Sequence, residues 1–407
     1  MLDIDVLTPI KTDSTYEFSC DLRPRRSIRS RLLSGSDTRK IPPPRIRFGF
    51  EARDFAIRHH AIWDAFYPLF FLTRNGGPLF GTGWDRARIR FGYPIPAAVS
   101  GFFVRRAAHL GIEIKVEADA TEVRFEEPTS GHVQAFGGGK ESRLLLGLLR
   151  ELGLEPTVMS SQASRASDVP GALTSKAIGS GAAEGELVDR IMPSLMQGGR
   201  HLYYGAGLGE ANLETPWHQH YDMASPARIA ELAALLTDLG APTEMHVPAV
   251  VLPSNLIQRM LHDRYPDLFA GQVSTGMGAH SYKNLHVSLI KMLHGIPTDS
   301  HMEPDLFRRL LERFVRRQLA DPPDFGYRKH RETPSLEMRA IIWRLRQQPA
   351  FATVRDRVPA SWDAAWIDYV HVYANPSLDP AYVGIYRQHA PTVDEADPGV
   401  SIRRVRV

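Results

Sequence analysis

Cysteine is almost absent: Cys20 is the single thiol in 407 residues. One thiol cannot form an internal disulfide, a Cys-based metal site or a two-thiol mechanism. A secreted, disulfide-stapled framework is thereby excluded, and a reducing cytoplasm is the expected location. Long apolar runs are missing too. A membrane span needs roughly 18–20 uninterrupted apolar residues, and the best run, residues 65–72, is short and contains Pro68. No basic-then-apolar leader is seen, because Asp3 and Asp5 come at once. A membrane is therefore not an expected partner. Nor does one sign of charge dominate, since 49 Lys and Arg stand against 46 Asp and Glu, a net of +3. A nucleic-acid binder clusters its positive charge, so nucleic acid is not an expected partner either.

What is present fits an ordinary folded chain. Hydrophobic residues at 43% and charged residues at 23% exclude a disordered or fibrous protein. The length suggests two or three domains. Residues 1–47 read as a basic arm, with Arg23, Arg25, Arg26, Arg29 and Arg31 followed by the extended run Pro42-Pro43-Pro44. Residues 48–125 read as a small α/β domain rich in aromatics, which are expected in its core. It holds a helix over 97–110 and a strand in which Ile112, Ile114 and Val116 alternate with Glu113 and Lys115. Residues 126–282 form the main α/β domain. Within it, the polar, glycine-rich stretch 162–200 reads as a partly mobile insert. Residues 246–252 read as a strand and 255–265 as a helix. Residues 283–407 are mostly helical and end in a proline-punctuated tail.

The chemistry concentrates after His132. Val133-Gln134-Ala135-Phe136 reads as a strand running into Gly137-Gly138-Gly139-Lys140-Glu141-Ser142. A helix follows, with Leu145, Leu148, Leu149 and Leu152 at i, i+3, i+4 and i+7. Gly153 stops it, and Thr157-Val158-Met159 reads as the next strand, completing a βαβ unit. Such a turn binds anions for a physical reason. The N–H groups of a helix's first turn have no acceptor within the helix, and the helix dipole adds partial positive charge. Glycines let a phosphate approach the backbone, and Lys140 adds a full charge. Two familiar templates fail. A Walker loop needs Ser or Thr after Gly-Lys and an earlier Gly where Gln134 stands, and the dinucleotide fingerprint needs Gly where Ser142 stands.

The segment Gly137–Ser142 resembles the S-G-G-K-D-S signature of the PP-loop ATP pyrophosphatases, or adenine nucleotide alpha hydrolases, with Gly137 and Glu141 departing from Ser and Asp. Two further stretches support the likeness. Gly209–Thr215 follows a candidate strand and resembles the family's acidic, amide-rich segment, with Glu210 and Asn212 matching. Trp217-His218-Gln219-His220-Tyr221-Asp222, together with Glu337 and Arg339-Ala340, is similar to segments of the UDP-N-acetylmuramoyl-L-alanyl-L-glutamate epimerase branch. Lys283–His286 sits where that branch would carry a cysteine, and none is here.

The resemblance implies a parallel sheet of HUP/PP-loop type, with the smaller N-terminal α/β domain before it and the helical region after it. It implies ATP and Mg²⁺ as cofactors. Phe136, Gly137, Gly138, Gly139, Lys140, Glu141, Ser142, Gly205 and Asn212 would contact the nucleotide, and Glu141 and Glu210 the metal. Lys140, His218, His220 and Asp222 would be catalytic, with His218 or His220 as base. Lys283 and Arg339 would bind a small-molecule or peptide carboxylate. The implied activity is adenylation of that carboxylate, with AMP and pyrophosphate as products, to epimerise the C-terminal residue of a peptide or UDP-MurNAc-peptide-like substrate. Amide or thioamide ligation is the alternative fate of the adenylate, and a non-catalytic nucleotide-binding subunit the alternative to an enzyme. A homodimer is compatible with all of these.

Overall fold

The computed structural model describes residues 1–24, 44–57, 60–72, 84–109, 111–122, 129–160, 166–179, 199–205, 226–252, 254–270, 282–296, 302–320, 332–365, 370–372, 380–388 and 393–395. The chain divides into two compact units. The first comprises Met1–Gly137, Glu155–Tyr204 and Ile229–Met245; the second comprises Gly138–Leu154, Gly205–Arg228 and His246–Val407.

The first unit is built on a mixed, largely parallel sheet. Its strands are β1 (Leu2–Val6), β2 (Ile10–Lys11), β3 (Thr15–Pro24), β4 (Arg45–Ala52), β5 (Arg86–Phe91), β7 (Glu113–Glu117), β9 (Thr129–Ala135), β10 (Thr157–Ser160), β11 (Leu173–Gly179), β12 (Gly199–Tyr204) and β13 (Glu244–His246), with β6 (Ile95–Pro96) and β8 (Ala120–Thr121) forming a separate ribbon. The spatial order is β13-β12-β9-β10-β11-β4-β3-β1-β5-β7, with β2 beside β3. Strands β12, β9, β10 and β11 are mutually parallel, as are β1, β5 and β7. Antiparallel pairings through β4 and β3 join the two blocks.

Strand β1 is buried at Leu2, Ile4 and Val6, and β3 at Tyr16, Phe18, Cys20 and Leu22, which is the period of a pleated strand. Helices α1 (His60–Leu72) and α2 (Ala97–His109) bury Trp63, Phe66, Tyr67, Phe102 and Phe103. Tyr16 meets Tyr67 edge-on at 5.5 Å between ring centres, and Phe50 meets Trp63 at 5.0 Å. These aromatics are core, as the sequence led us to expect. Gly49 is required where β4 crosses β3, because a Cβ there would sit 2.7 Å from the Glu17 Cα and collide with the Tyr16 carbonyl.

Three expectations change. Residues 2–24 are not part of an arm: β1 and β3 lie inside the sheet, because Leu2, Ile4, Val6, Tyr16 and Phe18 give them apolar faces to bury. Residues 25–43 lie outside the described residues. The 162–200 stretch supplies β11, which bridges β10 and β4, so one sheet runs through the segments expected to be separate N-terminal and main domains. The strand expected over 246–252 stops at His246. A 3-10 turn, Pro248–Val251, replaces it, since proline cannot donate to a strand ladder.

The second unit is helical, with α3 (Lys140–Glu151), α5 (Ser254–Arg264), α6 (Pro266–Ala270), α7 (Tyr282–Leu293), α8 (Pro304–Gln318), α9 (Glu332–Leu345) and α10 (Pro380–Arg387), while α4 (Pro226–Asp238) falls mainly in the first unit. The strands β14 (Val370–Val372) and β15 (Val393–Glu395) pair in parallel. Helix α8 buries Leu306, Phe307, Leu310, Leu311, Phe314 and Val315, a stripe at helical spacing that packs with Leu285, Leu289, Ile341, Ile342 and Phe351. Helix α3 packs on α5 and α6. There the Tyr265 ring lies flat against Gly147, and its hydroxyl donates to Glu151 at 2.6 Å. No helix among the described residues is long and apolar enough to cross a membrane.

Candidate functional site

The glycine loop has the backbone its sequence requires. Phe136, fully buried, donates its N–H to the Met159 carbonyl at 2.8 Å, tying the end of β9 to β10. Gly138 has φ of 70°, a left-handed conformation that favours glycine. Gly139 is extended and forms the N-cap of α3, where it offers no side chain to cap the first turn. Lys140 is the first helical residue. The Ser142 hydroxyl and the Arg143 N–H both donate to the Gly139 carbonyl at 3.1 Å.

The charged side chains of the loop are drawn together. The Lys140 ammonium pairs with the Glu141 carboxylate, and their side chains are only 11% and 16% exposed. Arg143 is completely buried. It donates from Nε to the Gly138 carbonyl at 3.0 Å and from Nη1 to the Leu268 carbonyl at 3.3 Å, so it braces the loop against α6. Arg143 was not among the residues singled out from the sequence; its only signal was a charge on the inner face of an otherwise leucine-rich helix.

Strand order sets where the carboxyl ends of β9 and β12 lie in the first unit. Taken in chain order, β9 to β13 are arranged 3-2-1-4-5, so the direction of winding switches between β9 and β12. In such sheets ligands bind outside the carboxyl ends of the strands at the switch point. The carboxyl end of β9 leads into Phe136-Gly137, and that of β12 into Gly205. In the second unit Gly205 lies directly on the first turn of α3: a Cβ there would be 2.7 Å from the Ser142 N and Cα. Two of the segments the sequence singled out, Gly137–Ser142 and Gly205, are therefore brought together.

Glu210, Asn212, His218, His220 and Asp222 lie outside the described residues. Lys283 is the second residue of α7. Arg339, on α9, donates to the Gln318 side chain at 2.7 Å and stacks 5.8 Å from the Trp362 ring centre. Cys20 is buried in β3; burial foremost, then Asp21 and Asp5, pushes its thiol well above the usual range. Burial and a raised pKa both disfavour the thiolate that a nucleophile or sulfur carrier needs.

Two histidine groupings went unread in the sequence. In the first unit His132 stacks on His201 at 4.7 Å and bonds the Tyr203 hydroxyl at 3.0 Å, while His201 lies 3.4 Å from the Glu244 carboxylate. Burial, and then His201, lowers the His132 pKa. In the second unit the buried His286 and Glu337 meet at 2.7 Å. Comparison with protein-family models, curated proteins and solved structures finds no match to this chain.

Proposed function

We propose that this chain is an ATP-dependent, AMP-forming enzyme of PP-loop type that adenylates a substrate carboxylate. The observation that carries the reading is the turn itself. Gly138 in a left-handed conformation and Gly139 at an uncapped helix start follow a parallel strand at the switch point of a 3-2-1-4-5 sheet. That strand order also fits a HUP-type domain. The loop suits a polyphosphate: main-chain N–H groups for its oxygens and Lys140 for its charge. The Glu141 carboxylate is a hard oxygen ligand of the kind Mg²⁺ takes.

Adenylation solves a chemical difficulty. The proton on the carbon next to a carboxylate is hard to remove, because the product would be a dianion. Capping the carboxylate with AMP neutralises it and acidifies that position. A base, for which His218 and His220 are our candidates, removes the proton, the opposite face is reprotonated, and hydrolysis of the adenylate returns the carboxylate and releases AMP. Epimerisation of a peptide's C-terminal residue is the fate we favour. Amide or thioamide formation is the alternative, and the buried Cys20 requires any sulfur to come from an external donor.

One observation favours a second reading. Lys140 and Glu141 pair with each other, and both Gly137 and Glu141 depart from the family signature. A subunit that binds a nucleotide without turning it over would tolerate this. Incubation with ATP, Mg²⁺ and peptides bearing free C-termini separates the readings. Substrate-dependent AMP and pyrophosphate support the enzyme, and deuterium incorporated at Cα from D₂O supports epimerisation. Nucleotide binding with no pyrophosphate release for any peptide supports the subunit.

A further inference from the structure

Helix α5 carries two amides where a core helix should carry apolar groups. Asn255 and Gln258 are 1% and 0% exposed, and Leu256, Ile257, Met260 and Leu261 around them are buried as well. Among the described residues, neither amide oxygen nor amide nitrogen of either side chain has a hydrogen-bond partner. Four orphaned polar atoms in one interior carry a large desolvation cost, and native cores avoid them unless something is meant to fill the gap. Residues three apart lie on one face of a helix, so the two amides stack on the same side of α5.

The same place holds an oriented histidine. The Asn255 N–H, in the first turn of α5, donates to Glu337 Oε1 at 2.8 Å. Glu337 Oε2 accepts from His286 Nε2 at 2.7 Å. A carboxylate that accepts at Nε2 holds the proton on that nitrogen, which leaves the Nδ1 lone pair for another donor. Nδ1 has no partner among the described residues. Glu337, at 3% exposure, is thus spent on two protein donors and ties the start of α5 to His286.

We propose that Asn255, Gln258 and His286, with Glu337 holding the Asn255 main chain and His286, form a binding site in the second unit for a neutral ligand with an amide-type edge, such as a peptide group or carboxamide. The argument is one of matching. The two side-chain amides offer donors and acceptors side by side, and His286 Nδ1 offers an acceptor. An amide group presents the complementary N–H and C=O. An anion would meet the Glu337 carboxylate, and a cation would compete with His286 for it. The neighbouring cations are engaged elsewhere: Arg339 with Gln318 and Trp362, and Lys291 over the Phe269 ring at 5.4 Å. This site needs nothing from the glycine loop and stands or falls apart from the nucleotide reading.

The test uses the full chain labelled with ¹⁵N-histidine, with the His286 signals assigned through His286→Gln. N-methylacetamide, sodium acetate and methylammonium chloride are the probes. His286 is expected as the Nε2–H tautomer. Its Nδ1 resonance is expected to shift saturably with N-methylacetamide, and at least ten-fold more weakly with the two ions. Gln258→Met should weaken the N-methylacetamide response at least ten-fold while leaving Tm of the probe-free protein unchanged or higher, since an apolar side chain replaces two orphaned atoms. Asn255→Leu provides the second variant, with the same expected loss. The proposal is overturned by the Nδ1–H tautomer, by no saturable shift, or by equal responses to the three probes. A response that survives Gln258→Met overturns it too, as does a fall in Tm in that variant, which would mean that ordered water already satisfies the amide as part of the fold.

Discussion

The two units differ in which polar groups they bury. In the first, acidic side chains on the sheet meet arginines at its edges and surface: Arg47 with Glu17, Arg45 with Asp21 at 2.6 Å, and Arg90 with Asp5 at 2.7 Å. Its interior holds Tyr16, Phe18, Phe50, Trp63 and Phe103, and it also buries Asp3, Glu17, Asp64 and Gln134. The second unit buries Arg143, Asn255, Gln258, His286 and Glu337. Exposed pairs contribute about 0–1 kcal/mol each, whereas an unmet buried polar atom costs about 1–3 kcal/mol. The first arrangement suits a scaffold. On the site proposed above, the buried amides of the second unit are kept for binding, because a core of the same volume in leucine would be more stable.

The sharpest way to break this contrast is at the scaffold. Gly49→Ala pushes a methyl group into the backbone of β3, and neither strand can give way without losing its ladder. We expect a loss of about 3 kcal/mol, at the upper end for overpacking, read as a lower urea midpoint. Activity per folded molecule should persist, because the sheet only supports the chemistry. Gly205→Ala should behave differently. Its methyl group meets the Ser142 main chain, so we expect about 1–3 kcal/mol of stability lost. ATP affinity, measured by calorimetry on the folded fraction, should also fall at least ten-fold as the first turn of α3 is displaced.

The smallest effect concerns pH. Burial and His201 hold the His132 pKa below its ordinary value near 6.5. The unfolded chain therefore binds a proton more readily than the folded one. The associated stability is fully present above that ordinary value and is lost as pH falls through it toward the lower, folded pKa. Urea midpoints should decline between about pH 7 and pH 5, and His132→Gln should flatten part of that decline. An unchanged slope in the variant would remove His132 from the account.

Much of this was legible from residue order. The run from Val133 to Met159 alternates strand, glycine and leucine-spaced helix by local rules alone, and those elements stand where the pattern put them. Strands β1 and β3 were readable too, since Leu2, Ile4 and Val6 alternate, as do Tyr16, Phe18, Cys20 and Leu22. The arginines and prolines beside them drew the segment toward an arm instead. Strand β11 carried no such signal: Thr174, Ser175 and Lys176 become strand only because β10 and β4 flank them. The second-unit cluster was illegible for a similar reason. His286 and Glu337 are 51 positions apart, and no local rule joins them. Asn255 and Gln258 look like ordinary helix-surface residues until the burial of α5 is known.

The central claim is that the Gly137–Ser142 turn grips the polyphosphate of ATP while a carboxylate receives AMP. Lys140→Ala tests it most directly, because Lys140 supplies the turn's ammonium and its loss should not disturb α3. With ATP, Mg²⁺ and any peptide that drives the native chain, the variant should fold normally by circular dichroism and form no AMP. AMP formation at the native rate by folded Lys140→Ala protein would contradict the assignment.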